Sequence, residues 1–385
     1  MTPRPFEIAV PDAVLDDLRE RLARTRWAAP DVEAPWEACA DVTYVRELCD
    51  YWAGGYDWRV REAALNRFPG FLAEVDGVDL HFWHVRGSGP SPTPLLLLHG
   101  WPGSMAEFEP VIGPLTDPAA HGGDPADAFD VIVPALPGFG FGGKPREAGW
   151  NISRVARAFH TLMTELLGYE RYGIQGGDWG MFTGARMAAD NPAETIGLHL
   201  NFVMGRAQLH ESVLPEPAND EEARIVARRR AFGANETAYS LLQGTKPTSL
   251  GIAQEDSPAG LAAWIVEKMR TWSDCDGDVE QAFTKDQILT NVMFYWAPQS
   301  ITSAARIYRE AHRDDAGLHP PKIEVPTAVA VFPADILPAA RPWVERHYDL
   351  VRWTPMPRGG HFPASEQPEL LVGDVRAFFR ALREG

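Results

Sequence analysis

The sequence predicts an α/β fold, a mainly parallel sheet with helices on both faces. Three observations carry this reading. The all-leucine run at residues 95–98 and the apolar run at 129–133 have the pattern of strands buried on both faces. Such runs alternate along the chain with helical periodicities, and that alternation produces parallel sheets. Finally, Gly173-Ile-Gln-Gly-Gly-Asp-Trp-Gly180 joins an apolar run to a helical pattern at residues 181–189. A sharp strand-to-helix turn of this kind pushes its central side chain, Asp178, out at the C-terminal edge of the sheet. The small flanking residues suit that turn, because a Cβ there would crowd it. The helix N-terminus favours negative charge at the same spot. A bare N-cap is the alternative role for Asp178, and the rest of the chain decides between them.

In order, residues 11–24 form an amphipathic helix with Val14, Leu15, Leu18 and Leu22 on one face, and Pro11 sits near its start. Residues 43–52 read as a second helix. Trp27, Trp36, Trp52 and Trp58 crowd this region, which suggests a segment wrapping over another part of the molecule. Residues 71–75 and 78–85 flank Asp76-Gly77 and read as a hairpin. His81 and His84 fall on opposite faces of its second strand, which argues against a shared metal. After the strand at 95–98 comes His99-Gly-Trp-Pro-Gly-Ser104. After the strand at 129–133 comes the glycine- and proline-rich loop 134–142. A helix at 151–167, a strand at 172–175 and a strand at 197–201 follow. From about Gly205 to Pro320 helical patterns dominate, at 221–232, 259–272 and 285–296. This reads as a helical cap inserted over the sheet edge. Strands resume at 325–332 and 350–353, and residues 367–383 close the chain as a helix. The expected division is an N-terminal segment at 1–70, core at 71–204, helical cap at 205–320, and core again at 321–385.

Composition narrows the function classes. The 385 residues are 45% apolar, enough for a large core, and carry a net charge of -17, which argues against nucleic acid as a partner. The cysteines, Cys39, Cys49 and Cys275, form no C-x-x-C pair, and their sparse, odd count suits a reducing compartment. No signal-peptide core and no apolar run of membrane-spanning length is present. The expectation is a cytoplasmic protein with no membrane partner, no metal and no cofactor. Its oligomeric state is left open, with a homodimer allowed for.

Three residues fall in an order that carries chemistry: Asp178 at the turn, Asp335 after a late strand, and His361 in a Gly-Gly-His loop. Each has an ordinary structural role available, Asp335 as a turn cap and His361 as a hydrogen-bonded loop histidine. Together, at strand ends and in the order nucleophile, acid, histidine, they read as a triad. An aspartate nucleophile suits attack at an sp³ carbon. A serine would be left as an ether, which hydroxide does not cleave readily. An aspartate forms an ester, which an activated water hydrolyses.

At this point the chain resembles the epoxide hydrolases of the microsomal type, including their soluble bacterial relatives, members of the α/β-hydrolase superfamily. The resemblance spans essentially the whole chain. It rests on Pro5-Phe-Glu-Ile8 with Leu18 and Leu22-Ala-Arg-Thr-Arg-Trp27, His99-Gly-Trp-Pro-Gly-Ser104, the loop 134–140, and Gly176-Gly-Asp-Trp-Gly180. It extends to Asp256-Ser-Pro258 with Gly260-Leu-Ala-Ala-Trp264, and to Gly359-Gly-His-Phe362. Two departures stand out. The acid of the microsomal type is often glutamate, whereas Asp335 is one methylene shorter, and the membrane anchor of the mammalian members has no counterpart here.

The resemblance implies that an epoxide is opened to a vicinal diol through an aspartyl ester. Asp178 would be the nucleophile, His361 oriented by Asp335 the general base, and the Trp101 and Trp179 backbone N–H groups the oxyanion hole. Two cap tyrosines would donate to the epoxide oxygen. Tyr239 and Tyr308 match best by position, with Tyr295 as runner-up for the second place. The expected partners are a small-molecule epoxide and water, with a pocket lined by Phe108, Phe141, Tyr295, Trp296 and Phe362 and suited to a bulky apolar or aryl epoxide. Some soluble relatives act in natural-product pathways, including enediynes, and others in detoxification, so both settings are open. The alternatives are a haloalkane dehalogenase using the same aspartate, with Trp179 as a halide donor, and a non-catalytic receptor that kept the pocket.

Overall fold

The computed structural model describes residues 2–29, 34–37, 40–204 and 214–384. Cys39 and the expected start of the helical insertion at Gly205 lie outside these residues. Nine strands form one sheet: β1 (Arg4–Pro5), β2 (Gly70–Val75), β3 (Val78–Val85), β4 (Thr93–Leu98), β5 (Phe129–Pro134), β6 (Tyr172–Gly176), β7 (Thr195–Leu200), β8 (Ile323–Val331) and β9 (Tyr348–Pro355). Their spatial order is β1-β2-β3-β5-β4-β6-β7-β8-β9. The pairs from β1 to β5 along this order are antiparallel, and those from β5 through β4 to β9 are parallel. The hairpin is as the sequence predicts: Asp76 and Gly77 both take positive φ, 52° and 77°, the twist a two-residue turn needs between right-handed strands.

Successive strand residues point to opposite faces, and this places the helices. Gly173 and Gly197 lie under Phe379, Phe378 and Leu382 of α15 (Pro368–Glu384), where a Cβ would meet side-chain carbons at 2.4–2.6 Å. Their neighbours Ile174 and Leu198 turn the other way, against Gly184 of α6 (Asp178–Asp190). On the α15 face packs α4 (Glu109–Thr116). On the α6 face packs α5 (Ile152–Thr161), which runs on into a wider turn at Leu162–Leu166.

Three helices precede the sheet's long strands: α1 (Asp12–Ala23), α2 (Val42–Gly54) and α3 (Trp58–Leu65). The sequence predicts the first two. It does not predict α3, whose eight residues are too few for a clear period, but Asp57 caps it by accepting from the Arg59 and Val60 N–H groups. Between β7 and β8 lie α7 (Asp220–Glu236), α8 (Ala238–Thr245), α9 (Pro247–Asp256), α10 (Pro258–Trp272), α11 (Lys285–Trp296) and α12 (Ile301–Arg313). The short α13 (Arg341–Val344) precedes β9, and α14 (Pro363–Glu366) precedes α15. The sequence shows α7, α10 and α11 and passes over α8, α9 and α12. One apolar cluster runs continuously from α1–α3 through the sheet into α8–α12. Among the described residues no helix is long and apolar enough to cross a membrane, and Cys49 and Cys275 are free and buried.

Candidate active site

Asp178 is the first residue of α6, one residue beyond Gly177 at the end of β6, and its φ is +49°. A non-glycine residue held there costs on the order of 1–3 kcal/mol and persists only where the surroundings enforce it. Those surroundings are backbone. A Cβ on Gly180 would come within 2.1 Å of the Leu98 carbonyl oxygen, and one on Gly100 within 2.1 Å of Asp178 Oδ1. Glycine at these two places lets the turn between β6 and α6 press against the end of β4. The Trp101 N–H, just past β4, donates to Asp178 Oδ1 at 2.8 Å. The turn that carries it is pinned on three sides. Leu136 N–H donates to His99 Nε2 at 3.1 Å, Asn291 Nδ2 donates to the Pro102 carbonyl at 2.7 Å, and Tyr295 Oη donates to the Gly103 carbonyl at 2.5 Å. Trp179 lies in the first turn of α6, where backbone N–H groups lack intrahelical acceptors.

The other Asp178 oxygen, Oδ2, lies 3.3 Å from His361 Nε2, an ion-pair separation without hydrogen-bond alignment. On the far side of the ring Nδ1 is 2.7 Å from Asp335 Oδ1. His361 N–H donates to the Trp272 carbonyl at the end of α10, and Phe202, Trp272 and Phe362 all stand edge-on to the imidazole with centroids 5.2–5.4 Å away. Asp335 follows β8. Arg228 of α7 steadies its loop, donating to the Pro333 and Asp335 carbonyls at 2.9 Å each. Burial disfavours a charged imidazole, but the two flanking carboxylates, Asp335 foremost, outweigh it and hold His361 up to about 10.

Tyr239 on α8 and Tyr308 on α12 face this group. Tyr239 stacks on Trp101 at 5.1 Å, Tyr308 stands edge-on to Trp179 at 4.7 Å, and the two phenol rings meet edge to face at 5.8 Å. Burial, followed by the charge of Asp178, raises Tyr239 far above the ordinary phenol value. Burial, followed by Tyr239 and Asp178, does the same to Tyr308. Both therefore stay neutral O–H donors.

Asp178, Trp179, Tyr239 and Tyr308 line a cavity of about 780 Å³. Its apolar walls are Phe182, Phe202, Phe232, Leu241, Ile336 and Leu337. The aromatics expected to line the pocket sit elsewhere. Phe108 is buried in a short helical turn, Phe141 packs between Trp58 and Phe294, and Trp296 packs on Trp52. Tyr295 spends its hydroxyl on the Gly103 carbonyl, and Phe362 faces a second, smaller chamber. Of the true lining, Phe182 is one helical turn past Asp178, and Ile336-Leu337 follow Asp335 directly. Their adjacency to the triad was the usable signal. Phe202 and Phe232 carried none.

Residues 3–108 match the family described as epoxide hydrolase N terminus, and residues 93–201 match the alpha/beta hydrolase fold. The chain is 43% identical over 385 residues to a Stigmatella aurantiaca protein provisionally named an epoxide hydrolase, covering 98% of this chain and 85% of that one. It is 36% identical over 405 residues to epoxide hydrolase 1 of Oryctolagus cuniculus, covering 97% and 88%. Among solved structures, the juvenile hormone epoxide hydrolase of the silkworm Bombyx mori superposes with a TM-score of 0.89 at 32% identity, over 100% of this chain and 95% of that one. The Aspergillus niger epoxide hydrolase gives 0.87 at 31%, over 99% and 97%.

Proposed function

The chain belongs to the epoxide hydrolases of the α/β-hydrolase fold, and from that premise we propose that it opens a bulky apolar or aryl epoxide by a covalent route through Asp178. The observation that carries the proposal is the double engagement of Asp178: one oxygen held by the Trp101 N–H at 2.8 Å, the other 3.3 Å from His361 Nε2. An orienting carboxylate needs only one such contact. A nucleophile that becomes an ester needs an N–H donor for its carbonyl oxygen and a base beside it.

In the first step an Asp178 oxygen attacks a ring carbon, the C–O bond of the epoxide breaks, and the leaving oxygen takes a proton from Tyr239 or Tyr308. The aromatic cavity walls suit an apolar substituent. In the second step water attacks the ester carbonyl. The Trp101 and Trp179 N–H groups hold the developing oxyanion, and the water proton passes to His361; the acyl–oxygen bond then breaks, the departing diol oxygen takes that proton, and Asp178 gives its carboxyl proton back to His361. Alkylation makes Asp178 neutral and so removes one of the two anions that keep His361 protonated, and the His361 proton returns to the phenolate left by the first step. The first step thus prepares the base for the second. The cap role of α7–α12 is part of this reading, since α8 and α12 supply the phenols.

The dehalogenase alternative asks for halide donors at the leaving group, whereas the groups over Asp178 here are two phenols, one of them in T-shaped contact with Trp179. A receptor without turnover is separated from both by assay of diol formation.

The test is a single turnover with excess enzyme in ¹⁸O-water. Attack by Asp178 places a carboxylate oxygen in the diol, so the first diol is unlabelled and label appears on the peptide containing Asp178. Later turnovers give singly labelled diol. Label in the first diol, with none on the peptide, means direct attack by water and overturns the covalent route.

A further inference from the structure

Next to His361, and sharing no lining residue with the large cavity, lies a second chamber of about 40 Å³. A water needs roughly 10–15 Å³ by this measure, so the chamber holds about three or four. Its inner end is Gly103, Ala106, Glu107, Phe362 and Ser365, and its outer rim is Arg61, Glu109, Gln287 and Thr290. The inner end touches the catalytic residues on two sides. Phe362 is the neighbour of His361 and stands edge-on to its ring at 5.2 Å. Gly103 belongs to the turn that presents the Trp101 N–H, and Glu107 Oε2 lies so close beneath it that a Cβ on Gly103 would approach within 2.1 Å.

Two polar groups in this chamber lack protein partners. Asn291 is 8% exposed, and while its Nδ2 donates to Pro102, its Oδ1 accepts nothing. The Glu107 carboxyl, half-buried at the chamber wall, makes no hydrogen bond or ion pair among those of the described residues. A buried polar group left unpaired costs about 1–3 kcal/mol, and water is the usual remedy. Burial pushes the Glu107 carboxyl up to about 8. His361 pulls against this and Asp178 adds to it, so both lie within electrostatic reach. At neutral pH Glu107 is an uncharged acid, able both to donate and to accept.

Ester hydrolysis has a supply problem. Once the substrate is bonded to Asp178 its substituent fills the large cavity, and water must reach the ester carbonyl by another way. We propose that the chamber lined by Glu107 and Asn291 is the entrance for the hydrolytic water, with Glu107 a positioning residue that holds the water for His361. The inference rests on the covalent reading above. Glu107 exchanges no proton in the net step. It accepts a hydrogen bond from the water, whose transferred proton goes to His361 and whose oxygen bonds to the ester carbon; the acyl–oxygen bond to the diol then breaks and the departing oxygen takes the proton from His361. The Arg61–Glu109 ion pair, with Arg61 Nε donating to Thr290 at 3.1 Å, closes the outer rim.

The test separates the two steps, with styrene oxide as the probe. Rapid-quench single turnovers followed by intact mass give the rate of ester formation and the rate of its loss. Glu107→Leu, which removes the polar group, and Ala106→Val, which narrows the chamber, should each leave ester formation within about threefold and slow ester loss about tenfold to a hundredfold. Glu107→Gln, an uncharged mimic of the acid, should restore ester loss. Thermal unfolding identifies any variant that fails to fold, and the other then carries the test. Unchanged ester loss in the folded variants overturns the entrance. An equal fall in both steps does so too, because it assigns Glu107 to support of the Trp101 turn. If the wild type itself forms no ester, the covalent reading fails first and this one with it.

Discussion

At the scale of single residues, the site is a set of groups whose charge states are set by each other. Tyr239→Phe and Tyr308→Phe should each slow ester formation, and the double variant should lose on the order of 10²–10⁴-fold; near wild-type burst kinetics in the double variant would remove the phenols from the mechanism. Asp335→Asn should act on the second step instead, because the Asp335 carboxylate meets His361 Nδ1 and the neighbouring Ile336 N–H and no group of the first step. The ester should accumulate and be seen by intact mass, whereas a folded variant that never alkylates would place Asp335 in the first step. The pH behaviour of His361 follows from its neighbours. Its value rises from the ordinary 6.5 to about 10 in the folded enzyme, so its contribution to stability is complete below about 6.5 and is lost as pH rises through about 10. Unfolding measured across that window should show alkaline destabilisation, reduced in Asp335→Asn. Neutralising Asp178 by alkylation should lower the value, so the group controlling ester loss should titrate below His361 in the free enzyme by NMR. Equal values in the two states would mean that Asp178 does not hold the proton on His361.

At the scale of elements, legibility followed from how local the signal was. The strands β4 and β5, the hairpin at Asp76-Gly77 and the amphipathic α1 each carry their pattern within a few residues, and the sequence places them within one to three residues of where they lie. The three candidate positions stood out because each lies in a turn or loop after a strand, with glycine or proline within two residues. Much of the cavity wall was not readable, since Phe202 and Phe232 reach it only through tertiary packing, and an aromatic in a motif looks the same whether it faces a ligand or the core. Phe141 and Trp296 were read as pocket for that reason. The N-terminal segment shows a further hidden device. Asn66 at the end of α3 pairs with both backbone groups of Ile8, receiving its N–H at 2.9 Å and donating to its carbonyl at 2.8 Å, while Glu62 accepts from Val10 N–H at 2.7 Å. Asn66→Ala strands two backbone groups of a buried residue and should cost about 1–3 kcal/mol. The exposed Arg4–Asp79 ion pair, also 2.7 Å long, should be worth less than about 1 kcal/mol. Urea titrations of Asn66→Ala and Arg4→Ala give the comparison, and equal losses would mean that the Asn66 clamp is solvated in solution.

At the scale of the whole molecule, the N-terminal segment and the catalytic turn are linked through α11. Trp52 at the end of α2 meets Trp296 at the end of α11 edge-on at 6.5 Å, Tyr51 Oη donates to Asp286 at 2.8 Å, and Arg21 of α1 binds Asp256 at 2.6 Å. α11 in turn holds the turn beyond β4 through Asn291 and Tyr295. Of the polar links to the N-terminal segment, Tyr51–Asp286 is partly buried and Arg21–Asp256 is exposed, and each is worth about 0–1 kcal/mol. The apolar one is different: Trp52 is 3% exposed, and Trp52→Ala should cost about 3–5 kcal/mol. Because the apolar cluster is continuous from α1 to α12, that loss should lower one cooperative unfolding transition by several degrees rather than split it. The same variant, assayed well below its transition, should form the ester more slowly, since α11 no longer fixes the Trp101 N–H at Asp178. Calorimetry and single-turnover kinetics on Trp52→Ala read both effects. Two resolved transitions would show that the N-terminal segment folds apart from the core, and an unchanged rate of ester formation would show that the catalytic turn stands without it.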